Sequence, residues 1–325
     1  MTAILPRPEA PAEVRPATNG RRPRAAAHGS TIERQRRRLL VPFVGPAFLF
    51  YSVLFVVPAL AAVWISFNAW TGSGPMTFVG LQNYTAVFQD PSYLKSFGNT
   101  LLILFVVGSV IFVLAFAMTL LLRDMAGRKI VRSVIFFPHL VNALVFGILA
   151  GFVFNPGGLV NTLLRPLGVT SPPAWLAQDN LFPLIMATLV ATSTGYFTTI
   201  LMAAVDRIPP YLFEDCALAG ATAVQRLRHV ILPLTWDVFG TCAVLWTISS
   251  IKIFEIIWVF GGSSGSGIPP TQSWTTAVYT YVTAFSGMST PAYGAATASA
   301  VISLALVSVL VILLRRLMHR EAIEF

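Results

Sequence analysis

Six stretches of this chain are nearly free of charge, and each is long enough to cross a bilayer as a helix. They are Leu39–Phe67, Leu101–Leu122, Ser133–Val160, Leu181–Val205, Val238–Phe260 and Ala292–Leu314; a helical span needs about 20 apolar residues. Backbone N–H and C=O groups placed in hydrocarbon must pair within their own segment, which leaves helices or closed barrels. Barrel strands alternate polar and apolar residues over about 10 positions, whereas these runs are continuous. The expectation is an all-α integral membrane protein with six transmembrane helices. Composition agrees: only 11% of residues are charged, against about 25% in soluble domains.

The basic residues set the orientation, because loops retained in the cytoplasm keep Lys and Arg. The segment before the first run carries Arg7, Arg15, Arg21, Arg22, Arg24, Arg34, Arg36, Arg37 and Arg38. Arg123, Arg128, Lys129 and Arg132 follow the second run, Arg207, Arg226 and Arg228 the fourth, and Arg315, Arg316 and Arg320 the sixth. These are 19 of the 22 basic residues, all on one side of a six-span topology. Both termini are therefore expected in the cytoplasm. The net charge of +9 follows from topology and requires no nucleic-acid partner.

Residues 1–38, rich in Ala, Pro and Arg, hold too little apolar surface to offset ordering entropy and read as a disordered basic tail. Residues 39–320 form the membrane domain and 321–325 a C-terminal tail. The first apolar run exceeds the about 7–15 residues of a secretory signal and reads as an uncleaved span. Asp90-Pro91 can start a short helix, placing residues 68–97 along the membrane surface. The cluster GGSSGSGIPPTQSWT at 261–275 reads as an outward turn, as does the segment around Ser286, Gly287 and Thr290. Cys216 and Cys242 do not build a disulfide framework. His28, His139, His229 and His319 lack metal-ligand spacing, and no phosphate-cradling GxxxxGK[ST] is present. The chain is expected to be no enzyme and to hold no cofactor; ATP and Mg, if used, belong to another chain.

One polar island stands out, the loop 206–237, and within it Glu214–Pro233, EDCALAGATAVQRLRHVILP. Pro209-Pro210 ends the fourth run, and Tyr211–Ala223 is expected to be a short helix with Glu214 and Asp215 in its first turn. Ala217, Gly220 and Ala221 give it a bald surface that another backbone can approach. From chemistry alone, an amphipathic connector and a partner-docking helix both fit.

This island resembles the E-A-A-x3-G-x9-I-x-L-P signature of binding-protein-dependent ABC importer permeases, with Glu214, Asp215, Cys216, Gly220, Val230, Leu232 and Pro233 in register. FVGLQNY at 78–84, SFGNT at 96–100, FFPHLVNALVFGILAGFVFNPGGLVN at 136–161 and IKIFEIIWVFGG at 251–262 are similar to the carbohydrate-importing members. Asp215 and Cys216 stand where the signature has two alanines, and Ala219 stands where an acid usually precedes the glycine; Asp215 is read as the replacement for that acid. The resemblance implies a type I importer permease fold and a cytoplasmic helix seated in a cleft of a separate ATPase. Glu214, Asp215, Cys216, Ala217, Gly220, Ala221, Arg226, Leu232 and Pro233 would make that contact. It also implies a second permease subunit as heterodimer partner, an ATP-binding subunit dimer, an extracytoplasmic solute-binding protein and a bacterial inner-membrane location.

Polar residues inside spans usually face a path or a partner helix, because lipid exposure is costly. Asn142, Thr192, Ser193, Tyr196, Trp246, Ser249 and Ser250 supply the hydroxyl, amide and aromatic groups that a sugar needs; helix–helix hydrogen bonding is the competing role. Lys252 and Glu255, three positions apart, are expected to share a helix face and neutralise one another. The small-residue run Gly294–Ala300 is expected to pack against a second permease chain. The cargo is expected to be an oligosaccharide, monosaccharide, polyol or glycerol phosphate. A secondary transporter would need more intramembrane acids than Glu255 alone, and a non-transporting subunit would leave the bald helix without a partner.

Overall fold

A computed structural model describes residues 42–123, 125–169, 171–262, 267–285 and 291–318. The two expected tails, His28, His319, and the expected turn residues 263–266 and 286–290 lie outside the described residues. The chain divides into two compact units, Met1–Ala59 and Leu60–Phe325. Of the first unit, residues 42–59 are described: an apolar helical run without a buried residue. It opens helix α1, Pro42–Ser66.

The second unit is helical apart from a small hairpin, β1 (Asn68–Ala69) paired antiparallel with β2 (Thr77–Phe78). Helix α2 (Gln82–Gln89) follows, then α3, Pro91–Arg123. The Asp90-Pro91 start is as expected from the sequence: the Asp90 carboxylate accepts from the Ser92 N–H at 2.8 Å, with Pro91 in the first turn. The helix it opens is not short, however, and runs on through the second apolar stretch to Arg123. Two of the quoted motifs act as clamps. Asn83 of FVGLQNY donates to the carbonyls of Ser66 and Asn68, both at 2.9 Å, fixing the hairpin. Asn99 of SFGNT donates to the carbonyls of Gln272 and Trp274, and the Thr100 hydroxyl accepts from the Thr276 N–H. Such bonds satisfy backbone groups that a non-helical segment leaves unpaired.

The third and fifth apolar runs are broken where continuous spans were expected. α4 (Arg128–Leu140) and α5 (Ala143–Val153) meet at a bend of 93°, and α5 is followed by a short α6 (Leu159–Leu164). Asn142 causes this locally: its side chain caps α5 by accepting from the Leu144 N–H at 2.8 Å, and Pro138 withholds a backbone donor one turn earlier. α7 (Gln178–Val205) is straight enough to span. After it come α8 (Pro210–Leu218) and α9 (Ala223–Leu234); α9 meets α10 (Trp236–Ile251) at 78°. The fifth run then breaks at residues 252–254 before α11, Glu255–Gly262. α12 (Thr276–Phe285) and α13 (Tyr293–Met318) complete the chain. Four helices are long and apolar enough to cross a membrane, or six if each bent pair counts as one span.

α7 lies at the centre, burying Leu181, Ile185, Leu189, Phe197 and Leu201 against α3 and α4. Gly195 permits this approach: a methyl group there would overlap the Ile135 carbonyl oxygen of α4. The small residues of α13 are buried inside this chain. Ala296, Ala298 and Ser299 are inaccessible, and Ser299 shares a 2.6 Å hydrogen bond with Thr280 of α12. The expectation that the run Gly294–Ala300 is reserved for a second chain is thus corrected, because its own α12 and hairpin occupy that surface.

Candidate functional site

The island Glu214–Pro233 folds as two short helices joined by a tight reversal. α8 ends at Leu218, earlier than the expected Ala223, because Gly220 adopts φ +67°. The Ala221 N–H returns to the Cys216 carbonyl at 2.9 Å and the Gly220 N–H to the Ala217 carbonyl at 3.1 Å. This paired closure is a Schellman motif, which requires a left-handed residue and so favours glycine. Thr222 then opens α9 with a reciprocal cap: its backbone N–H donates to Gln225 Oε1, and the Gln225 N–H to Thr222 Oγ1.

The reversal is tied down from behind. Phe213 and Ile231 are buried with Val205 and Ile208 in a small cluster, and the Arg123 guanidinium lies 3.2 Å from the centre of the Phe213 ring. Arg128 and Asp206 form an ion pair at 3.2 Å, joining α4 to the end of α7. The outer face is left bare. Glu214, Asp215, Ala217 and Gly220 are exposed, Leu218 is 88% accessible and Val224 71%. Cys216, Ala221, Arg226, Leu232 and Pro233 are half-buried at its margins, and Arg226 Nε is buried without a partner among the described residues. Two projecting aliphatic side chains beside two acids form a surface with apolar and acidic character together.

A second feature lies where the two broken runs meet α7. A cavity of about 580 Å³ is lined by His139, Asn142, Thr192, Ser193, Ser249, Lys252, Phe254 and Glu255, within the size range of small-molecule sites. Of the sequence-predicted pathway residues, Asn142, Thr192, Ser193 and Ser249 come together here. Thr192 donates its hydroxyl to the Thr188 carbonyl, while the Ser193 and Ser249 hydroxyls have no partner among the described residues. Tyr196 stands behind His139, with rings stacked at 4.3 Å and 21°. Trp246 and Ser250 are elsewhere. The Trp246 indole N–H donates to the Leu104 carbonyl at 2.9 Å, and Ser250 is buried against the Thr247 carbonyl.

Lys252 and Glu255 do not form the expected pair on one helix face, because the helix stops between them. Lys252 closes α10 and Glu255 stands in the first turn of α11. Each stands at a helix terminus whose dipole its charge complements, a cation at a C-terminus and an anion at an N-terminus. Both line the cavity. Among the described residues no cluster of His, Cys, Asp and Glu is suited to hold a metal. His139, Lys252, Phe254 and Glu255 were not among the sequence-predicted site residues. For His139 the signal is the pattern Pro138-His139-Leu140-Val141-Asn142, a helix-breaking proline followed by a capping residue inside an apolar run; for Lys252 and Glu255 it is two charges inside an otherwise apolar run, which sequence reasoning assigned to each other instead of to a site.

Residues 111–323 match the family described as "Binding-protein-dependent transport system inner membrane component". The chain is 30% identical to the probable ABC transporter permease protein YurN of Bacillus subtilis, over 81% of this chain and 91% of that one. It is 27% identical to the diacetylchitobiose uptake system permease protein NgcF of Streptomyces coelicolor, over 78% and 79%. Among solved structures, a bacterial ABC transporter involved in the import of the acidic polysaccharide alginate superposes with a TM-score of 0.76 at 18% identity, covering 90% of this chain and 98% of that one. At that identity the likeness concerns the fold.

Proposed function

The chain belongs to the inner-membrane components of binding-protein-dependent transport systems, and on that premise we propose that it forms half of the translocation pathway of an ATP-driven importer of a carbohydrate. The observation that carries this reading is the bare, acid-bearing tip of α8, held rigidly from behind by Phe213 while Leu218 and Val224 project. Exposed apolar surface rimmed by charge is what a docking partner covers. The partner is a separate ATPase subunit, which holds the ATP and Mg. Glu214 pairs with a cation of that subunit, Leu218 fills its cleft, and Arg226 lies at the rim. Closure of an ATPase dimer then moves α8 and α9, and through the bend at α9–α10 the wall of the polar cavity, alternating its access.

In this reading, which the one-sided Arg and Lys distribution supports, the tip and both termini face the cytoplasmic side of a bacterial inner membrane. A second permease subunit completes the pathway, and a solute-binding protein delivers cargo from outside. The cavity fits a polyhydroxylated cargo because its hydroxyls, amide, His139 and Phe254 combine donors, acceptors and an apolar face. The test is co-purification of the ATPase subunit from membranes. Glu214→Lys is expected to abolish capture at unchanged permease abundance, while Lys252→Met leaves capture intact. Undiminished capture by Glu214→Lys would remove the docking role.

A further inference from the structure

Six aromatic rings run in unbroken contact from the polar cavity to the β1–β2 hairpin. Phe254, a cavity-lining residue, meets Tyr281 of α12 at 5.0 Å between ring centres, and both meet Trp258 at 5.3 and 4.9 Å. Tyr281 leads to Phe285 at 5.3 Å, Phe285 to Tyr293 at 5.6 Å, and Tyr293 to Trp70 at 5.4 Å. Phe285 and Tyr281 are exposed and the other four are half-buried, so the ladder presents ring surface along its length. Its polar tips are free: the hydroxyls of Tyr281 and Tyr293 and the indole N–H groups of Trp70 and Trp258 have no partner among the described residues. Trp175, Trp274 and Tyr279 use theirs, bonding to Asn161, the Pro269 carbonyl and Asp90.

We infer that this ladder is a sugar-binding track that hands an oligosaccharide, ring by ring, between the hairpin end of the protein and the polar cavity. Pyranose rings carry an apolar C–H face that packs on aromatic faces and an equatorial rim of hydroxyls that bond Tyr O–H and Trp N–H. A chain of rings at near-constant spacing fits a ligand of repeating rings better than a single small solute. Aromatic residues that only anchor a protein at the membrane interface occupy one depth and need no mutual contact; these touch in sequence and end in a polar cavity. The inference rests on the carbohydrate reading above and narrows it to oligosaccharides.

The experiment is saturation-transfer difference NMR on the full chain in lipid nanodiscs, with maltopentaose, cellopentaose and glucose as probes. Transfer from aromatic protons to sugar C–H protons is expected with the pentasaccharides. Their Kd should rise about two- to tenfold in Tyr281→Leu/Phe285→Leu, a change that keeps apolar surface and so preserves lipid anchoring. Retained ATPase capture by the variant certifies its fold. Absence of transfer with both pentasaccharides, or equal affinity in the variant, overturns the track. Equal affinity for glucose and the pentasaccharides overturns the oligosaccharide assignment. Loss of the track leaves the docking role of Glu214 standing, and the reverse result leaves the track, so the two failures are distinguishable.

Discussion

At the scale of single residues, Gly220 is where backbone geometry meets the proposed coupling to an ATPase. Its φ of +67° is needed for the Schellman closure, yet a side chain there would meet nothing within 4 Å in this chain. Two physical roles therefore separate. If the left-handed conformation is what matters, Gly220→Asn is tolerated, because asparagine enters that region at modest cost, while Gly220→Val is not. If the ATPase must approach the bald Cα closely, both variants fail alike. The alternate cap at Thr222 and Gln225, which begins α9 immediately afterwards, favours the conformational role. We predict that Gly220→Val inserts normally but hydrolyses ATP without transport, and that Gly220→Asn keeps most coupling. The measurement is ATP hydrolysed per substrate accumulated in proteoliposomes; equal uncoupling by both variants would assign the glycine to contact with the partner.

At the scale of elements, the breaks matter more than the spans. Apolar run length located α3, α7 and α13 from the sequence, because hydropathy reports where a segment resides. It does not report where a segment bends, so the corners at residues 141–142 and 252–254 were hidden inside the third and fifth runs. The same blindness cast Lys252 and Glu255 as an intrahelical pair when they complement two separate helix ends. The Ala-rich sequence after Leu218 likewise extended α8 too far, since alanine propensity masks a glycine whose left-handed φ ends the helix. Polar residues inside runs were legible as a class, but their directions were not: Ser249 lines the cavity while neighbouring Ser250 is buried against Thr247. Element packing gives a direct prediction at Gly195. Its Cβ would collide with the backbone of α4, which unlike a side chain cannot swing away. Gly195→Ala should cost about 1–3 kcal/mol, seen as a lowered melting temperature of the detergent-purified protein. Gly157→Ala, where an added methyl meets nothing, should leave it unchanged; equal behaviour of the two would show that α4 and α7 are not held in this close contact.

At the scale of the whole molecule, topology and partnership can be read with one native reporter. The chain has two cysteines; Cys242 is fully buried and Cys216 is half-buried at the margin of the α8 tip. On the proposed topology the Arg and Lys asymmetry puts Cys216 on the cytoplasmic side, and the three expected spans between it and the exposed β1–β2 hairpin put the hairpin opposite. A membrane-impermeant maleimide should therefore label the wild-type chain in inside-out vesicles and spare it in right-side-out vesicles. Ser73→Cys, at the exposed hairpin tip, should add labelling in the right-side-out preparation alone. Bound ATPase subunit should slow Cys216 labelling in inside-out vesicles, and its removal by Glu214→Lys should restore the rate. Labelling of Cys216 from the outside would invert the topology and with it the side on which ATP acts. Correct sidedness without protection would leave the orientation intact while placing the ATPase contact elsewhere, so one thiol decides both where the tip lies and what covers it.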